Sequence, residues 1–271
     1  MMMRSSILDQ RGETNSFSPH LPLKMVKELI ISGEVLKVDA EILSQIKKLG
    51  INYNLLQLCD FLPHSVASHP DMCMYYTSKG EWIAHINAYD LLKSIDTDAM
   101  VSLSDQESEN ITKIQHNCEE IKYPNDASLD CLRMGKQMFC GKGTDKKVFE
   151  TETTSGCEII FTKQGYVKCS VCVVGKDALI TEDCGLAKQF EEHGFDVLLL
   201  KKREVVLPGY NCGFIGGASF KFANDGLAFF GEVKKHSEYE NIKSFCSNHG
   251  VYCESLSEND LTDFGGAMCI E

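Results

Sequence analysis

The chain has 271 residues, 43% hydrophobic and 24% charged, which is enough for one large or two ordinary globular domains with a proper core. A formal net charge of -12 excludes affinity built on lysine and arginine neutralising phosphates, so nucleic acid is not an expected partner and any charge-based recognition favours a cationic ligand. No window approaches the ~18 apolar residues of a membrane span. The thirteen cysteines, odd in number and scattered through strand-like and helix-like segments, read as mostly reduced thiols of a cytoplasmic protein.

In chain order, residues 1–24 are polar, lack an apolar run, and are expected to be a disordered leader before a single domain spanning 25–271. The strand-like Glu28 to Ile31 is followed by a helix from Ala40 to Leu49, Gly50, and a strand from Ile51 to Leu56. A second segment starts at His69 and passes a turn at Ser78-Lys79-Gly80. The polar stretch from Ser94 to Asn117, with its acidic Asp105-Gln106-Glu107-Ser108-Glu109, reads as an insertion with a poor helix. A third copy runs from Asp126 through the Met134-Gly135-Lys136 turn to Phe161.

The clearest unit spans Gly165 to Lys201. It has a strand over Tyr166 to Val174, a turn at Gly175-Lys176-Asp177, a strand over Ala178 to Ile180, Thr181 as helix cap, Leu186, Ala187 and Phe190 at helical spacing, a C-terminal Gly194, and a strand to Leu200. The next unit repeats this order from Gly216 through Asn224-Asp225-Gly226 to Ser255, with its turn glycine about fifty residues further on. The C-terminal Phe264 to Ile270 resembles the first strand of a unit, and the N-terminal segment resembles the rest of one. Joining them gives five repeats of strand, turn, strand, helix, strand. Pairing the terminal strands removes the edges of an open array, so a closed five-bladed α/β propeller is expected, with an ordinary open α/β sheet as the alternative.

In such a ring the glycine-rich first strands surround the axis and their ends supply a site. The arriving segments carry His69-Pro70-Asp71, Asp126, Lys168-Cys169, Gly216-Gly217, and Asp263-Phe264-Gly265-Gly266. Glycine pairs let backbone approach a ligand closely, and the carboxylates of Asp71, Asp126 and Asp263 suit a cationic head group, with Lys168 as an anchor for a carboxylate. The expected ligand is a small cationic or zwitterionic molecule such as an arginine derivative, with neither membrane nor nucleic acid as partner and with no metal or cofactor. Singly, each segment is also an ordinary turn.

The segments Lys163 to Ser170, Gly213 to Ser219 and Leu261 to Gly266 make the chain resemble a bacterial branch of the guanidino-group-modifying, or pentein, superfamily, which holds amidinotransferases, arginine and agmatine deiminases and dimethylarginine hydrolases. The resemblance covers about Met25 to Glu271 and implies a five-fold pseudo-symmetric α/β propeller. The superfamily's nucleophile lies in a final Gly-Gly-x-x-Cys strand, a spacing matched by Gly265-Gly266-Ala267-Met268-Cys269. By this resemblance Cys269 attacks a guanidinium carbon and forms a thiouronium intermediate resolved by water or an amine. The superfamily's His-x-Asp or His-x-Glu element is absent from Phe214 to Ser219, which leaves His69, on another unit, as the substitute proton carrier.

Three functions follow as expectations: a cysteine-dependent hydrolase or amidinotransferase-like enzyme on a guanidino or amidino compound; a non-catalytic ligand-binding or interaction protein on the same scaffold, favoured by the missing element; and a thiol-redox protein using Cys169 and Cys172. The last is weakened because residues three apart on a strand face opposite ways and no second cysteine pair accompanies them. Cys269 also reads as a packed core thiol. Tyr75, Tyr76, Trp82, Phe229 and Phe230 read as core aromatics, and His193 and His249 as ligands of helix C-terminal carbonyls.

Overall fold

The computed structural model describes residues 17–95, 99–105 and 121–270. Among these described residues, fifteen strands form five three-stranded sheets of mixed α/β organisation, ordered β15-β1-β2, β3-β4-β5, β6-β7-β8, β9-β10-β11 and β12-β13-β14. They span Glu28–Ser32 (β1), Asn52–Leu56 (β2), Met74–Tyr76 (β3), Glu81–Ala84 (β4), Met100–Leu103 (β5), Leu132–Met134 (β6), Gln137–Cys140 (β7), Glu158–Phe161 (β8), Val171–Gly175 (β9), Ala178–Thr181 (β10), Asp196–Leu199 (β11), Ser219–Lys221 (β12), Gly226–Phe229 (β13), Tyr252–Ser255 (β14) and Ala267–Ile270 (β15).

Every sheet has one grammar. The first strand runs antiparallel to the middle one, the middle strand runs parallel to the third, and a helix makes the parallel crossover. The crossover helices are Glu41–Lys48, Ile86–Ser94, Lys146–Thr154, Cys184–Glu192 and Tyr239–Asn248. Gly50, Gly156, Gly194 and Gly250 follow four of them at φ of +70° to +87°, the left-handed backbone that ends a helix, with open space where a Cβ would point.

The first and last of these strands meet in one sheet, with Glu28 opposite Ile270 and Ile31 opposite Ala267. The first strands also neighbour one another. β9 lies against β12, β12 against β15, and the short helix Pro70–Cys73 against β15. Five apolar clusters form the core, each sheet packing its buried faces against helices or adjacent sheets.

Several local expectations are corrected. The predicted strand from Tyr166 begins only at Val171, because Val167 to Ser170 form a turn closed by Ser170 N–H to the Tyr166 carbonyl at 3.1 Å. The strand predicted from Gly216 likewise starts at Ser219. Asp183, not Thr181, caps the helix Cys184–Glu192, accepting from Gly185 and Leu186 N–H at 2.8 and 2.9 Å, while the Thr181 hydroxyl donates to the Ser170 carbonyl. Within the stretch read as an insertion, Met100–Leu103 supplies the third strand of its unit. The acidic residues 106–109 lie outside the described residues. Of the expected leader, Ser18 to Leu21 form a turn, the Pro19 carbonyl accepts from Cys269 N–H, and Leu21 packs beside Phe195 and Val197. No helix among the described residues is long and apolar enough to cross a membrane.

Two stability predictions follow. Deleting residues 267–271 removes β15, whose four residues are buried; since burying a large apolar side chain contributes about 1.5–3 kcal/mol, the shortened chain should show no cooperative thermal transition by circular dichroism. His85 is buried, bonded to Ser104 Oγ at 3.0 Å, and burial pushes its pKa down to about 3. The native state therefore binds fewer protons than the unfolded one between the ordinary histidine value and about 3, so stability falls as pH drops through that window. His85→Asn should flatten the wild-type slope by up to about 1.4 kcal/mol per pH unit in denaturant titrations at stepped pH. Equal slopes would refute the assignment.

Candidate functional site

The turns that precede the first strands converge on a buried polar cluster. Asp71 lies three residues before β3, Asp130 two before β6, Cys169 two before β9, Gly217 two before β12, and Asp263 four before β15. The Cys169 sulfur, a His69 ring nitrogen and an Asp263 oxygen lie within 4.8 Å of one another, as do the Cys169 sulfur and oxygens of Asp71 and Asp130. All five side chains are buried.

Backbone amides hold the acids in place. Asp130 Oδ1 accepts from Lys168 N–H at 2.5 Å and Cys169 N–H at 3.1 Å, tying its unit to the next. Asp263 Oδ2 accepts from Phe214 N–H at 2.9 Å, Oδ1 accepts from Gly265 N–H at 3.0 Å, and Oδ1 faces His69 Nδ1 at 3.7 Å. The Cys169 thiol donates to Asp71 Oδ2 at 2.9 Å. His69 Nδ1, Asp71 Oδ1 and Asp130 Oδ2 are buried and have no hydrogen-bond partner among the described residues.

Burial favours the protonated forms of Asp71, Asp130 and the Cys169 thiol. Desolvation, then the neighbouring Asp130, raises Asp71 well above the usual carboxylate range. Asp130 is pushed up to about 7 by burial against the pull of the Cys169 amide. Burial and the Asp71 carboxyl hold the proton on the Cys169 thiol. Burial lowers His69, opposed by Asp263. A cation entering between these acids would favour their ionised forms, because an opposite charge nearby offsets the desolvation that protonates them.

The fold thus brings together His69, Asp71, Cys169 and Asp263, and adds Asp130, which sequence reasoning passed over. Its signal was positional: like Cys169 and Gly217, it stands two residues before the first strand of its unit. Lys168 is buried, donates from Nζ to the Gly216 carbonyl at 3.2 Å, and its charge acts on Asp71 and Asp130. Asp126 is separate; its Oδ2 accepts from the Tyr166 hydroxyl at 2.6 Å, beside the aromatic row Tyr123, Tyr166, Phe214.

The glycines expected at the site are sterically required there. A Cβ on Gly217 would occupy the space of the Asp263 carboxylate, and one on Gly265, at φ +73°, that of the His69 side chain. Gly216 lets the backbones of two units meet, and Gly266, at φ +64°, has Lys168 Nζ 3.2 Å from where its Cβ would stand. They make room for the site's side chains.

Cys269 is corrected from the expected position. It lies in β15 opposite Leu29, inside an apolar cluster with Ile31, Ile42, Ile46 and Phe220, where burial pushes its thiol up to about 12 and its Sγ contacts only the Lys221 carbonyl among the hydrogen bonds described. The final strand alternates its side chains between two apolar clusters, so the Gly-Gly-x-x-Cys spacing ends in packing. Cys172 is also apolar-packed, beside Val174, Ile180 and Cys246, while Cys169 turns to Asp71; the two thiols do not form a pair. His193 Nδ1 contacts the Gln189 carbonyl at 2.7 Å as expected, whereas His249 Nε2 contacts Asp196 at 2.9 Å in the neighbouring unit.

Similar chain paths occur in three solved structures. A C. jejuni agmatine deiminase is 11% identical, with 90% of this chain and 92% of that one covered at a TM-score of 0.50. A DDAH from Pseudomonas aeruginosa complexed with citrulline is 12% identical over 86% of this chain and 93% of that one, at a TM-score of 0.47. A putative peptidyl-arginine deiminase is 9% identical over 89% and 94%, at a TM-score of 0.48. No curated protein matches the sequence. The likeness to the agmatine deiminase is one of fold, that of the guanidino-group-modifying, or pentein, proteins. A family model described as "Family of unknown function (DUF6873)" matches residues 35–268, and the chain belongs to that family.

Proposed function

We propose that the five units close around an axis as an α/β propeller and that the protein is a cysteine-dependent hydrolase or amidinotransferase-like enzyme acting on a guanidino or amidino compound, with Cys169 as nucleophile. The observation that carries this reading is the thiol of Cys169 donating to Asp71 Oδ2 at 2.9 Å within reach of His69 and Asp263. A nucleophile, a proton acceptor, a neutral imidazole and several carboxylates for a cation are thereby assembled from different units.

The chemistry follows from those contacts. A guanidinium held by Asp130 and Asp263 ionises the acids around it, and Asp71 takes the thiol proton as sulfur bonds to the guanidinium carbon. The carbon–nitrogen bond to the departing amine then breaks, with His69 relaying the proton that makes it a good leaving group. Water, or an amine in a transferase, adds to the thiouronium carbon and expels the Cys169 sulfur, which regains its proton. His69 fills the role of the missing His-x-acid element from another unit.

A second reading, a non-catalytic receptor for a cationic molecule, is favoured by the burial and protonation of the Cys169 thiol, which reduce its nucleophilicity. Turnover separates the two, since both predict binding.

Incubation with a haloacetamidine followed by peptide mass spectrometry should modify Cys169 and spare Cys269. Labelling confined to Cys269, or absent from Cys169 at every pH, would overturn the assignment. Because burial and Asp71 hold the thiol proton, the labelling rate should keep rising beyond the pH at which a free thiol levels off. For any guanidino compound that is turned over, Asp71→Asn should lower kcat/KM by roughly 10²–10⁴ while leaving thermal stability near wild type. Thermal-shift screening should show stabilisation by guanidino compounds and none by phosphates; the reverse pattern would remove the basis for a cation site.

A further inference from the structure

The cluster also has the donor chemistry of a metal centre, a role that the spacing of Cys169 and Cys172, with no second cysteine pair, does not suggest. The fold replaces that pair with groups from distant parts of the chain. One thiol sulfur, one imidazole nitrogen and one carboxylate oxygen, from Cys169, His69 and Asp263, lie within 4.8 Å of one another. Oxygens of Asp71 and Asp130 lie within 4.8 Å of the same sulfur and of each other.

The orphaned polar atoms are an independent indication. His69 Nδ1, Asp71 Oδ1 and Asp130 Oδ2 belong to residues at most 2% exposed, yet none has a hydrogen-bond partner among the described residues. Buried polar atoms without a partner cost stability, and a cation bound by these three residues, all of which belong to the groups gathered at Cys169, would satisfy them. His69 Nδ1 faces Asp263 Oδ1 at 3.7 Å, a separation near the donor-to-donor spacing of about 3.5 Å set by tetrahedral bonds of about 2.0–2.3 Å. The nearby ammonium of Lys168 is bonded to the Gly216 carbonyl at 3.2 Å and leaves one charge against three carboxyl groups.

Donor type selects the ion. Calcium takes six to eight oxygens and magnesium an octahedron of oxygens and water, whereas a mixed sulfur, nitrogen and oxygen set suits a thiophilic divalent transition ion. We propose that Cys169, His69 and Asp263, with Asp71 as fourth donor, bind Zn²⁺ or a similar ion. On binding, the thiol proton leaves for solvent, a sulfur–metal bond replaces the hydrogen bond to Asp71, and no change of oxidation state occurs. The ion and an electrophile then compete for one sulfur, so metal binding blocks covalent chemistry at Cys169. The binding itself does not depend on the proposed catalysis.

Cobalt(II) is the probe, because its thiolate complex has a near-ultraviolet charge-transfer band and tetrahedral sites give intense visible bands. Titration of the reduced, full-length protein should give both bands, saturating at one equivalent and bleached by Zn²⁺. Cys169→Ser should lose the charge-transfer band, Cys269→Ser should keep it, and His69→Gln should weaken affinity by roughly 10-fold or more. Where a variant does not fold, the wild type still decides. Zn²⁺ should slow iodoacetamide modification of Cys169 and a chelator should restore it. No saturable band, a band surviving Cys169→Ser, or modification of Cys169 unaffected by Zn²⁺ would overturn the proposal. Labelling by haloacetamidine in metal-free protein is read separately, so a metal band without labelling removes the enzyme reading and leaves the metal site standing.

Discussion

Asp130 and Asp263 accept backbone N–H groups across unit boundaries, and the placement of the buried cluster depends on that arrangement. Asp130 takes the amides of Lys168 and Cys169, and Asp263 takes that of Phe214. Each bond satisfies a backbone donor at a turn that has left its sheet and fixes the direction in which the next side chain leaves it. The Cys169 thiol reaches Asp71 because the turn of Val167 to Ser170 is clamped by Asp130. Without Asp130 the amides of Lys168 and Cys169 would be buried without these partners, so the same carboxylates join the units and line the cluster.

The close approach of the units leaves no volume for side chains at the crossing points. Gly217 gives way to the Asp263 carboxylate and Gly265 to His69. The glycine-rich segments therefore mark the site by leaving room for its side chains. Their conformational freedom costs backbone entropy, which the surrounding apolar clusters offset.

Electrostatics sets the resting state. Several acids enclosed with one lysine and one imidazole cannot all ionise in a low-dielectric interior, and protons take the place of a counter-ion. A cation bound among these groups would replace such protons and partner the buried polar atoms left without one among the described residues.

The repeat was legible in the sequence because it is written in local chemistry: helix-ending Gly50, Gly194 and Gly250, turn residues, and apolar runs of strand length. The same local signals gave the pairing of Glu28 to Ile31 with the last strand, and they brought His69, Asp71, Cys169 and Asp263 into view as segments arriving at strand ends. Tertiary structure decided the rest. Whether a cysteine faces an acid or a leucine depends on where a strand starts and which sheet lies opposite, and neither is encoded in the spacing of Gly265-Gly266-Ala267-Met268-Cys269. A shift of a few residues in the start of β9 freed Cys169 from the strand, while β15 carried Cys269 into the apolar cluster beside Leu29 and Ile42. Asp130 acquired its role only through the amides of a neighbouring unit, a partnership across 39 residues that no local pattern records.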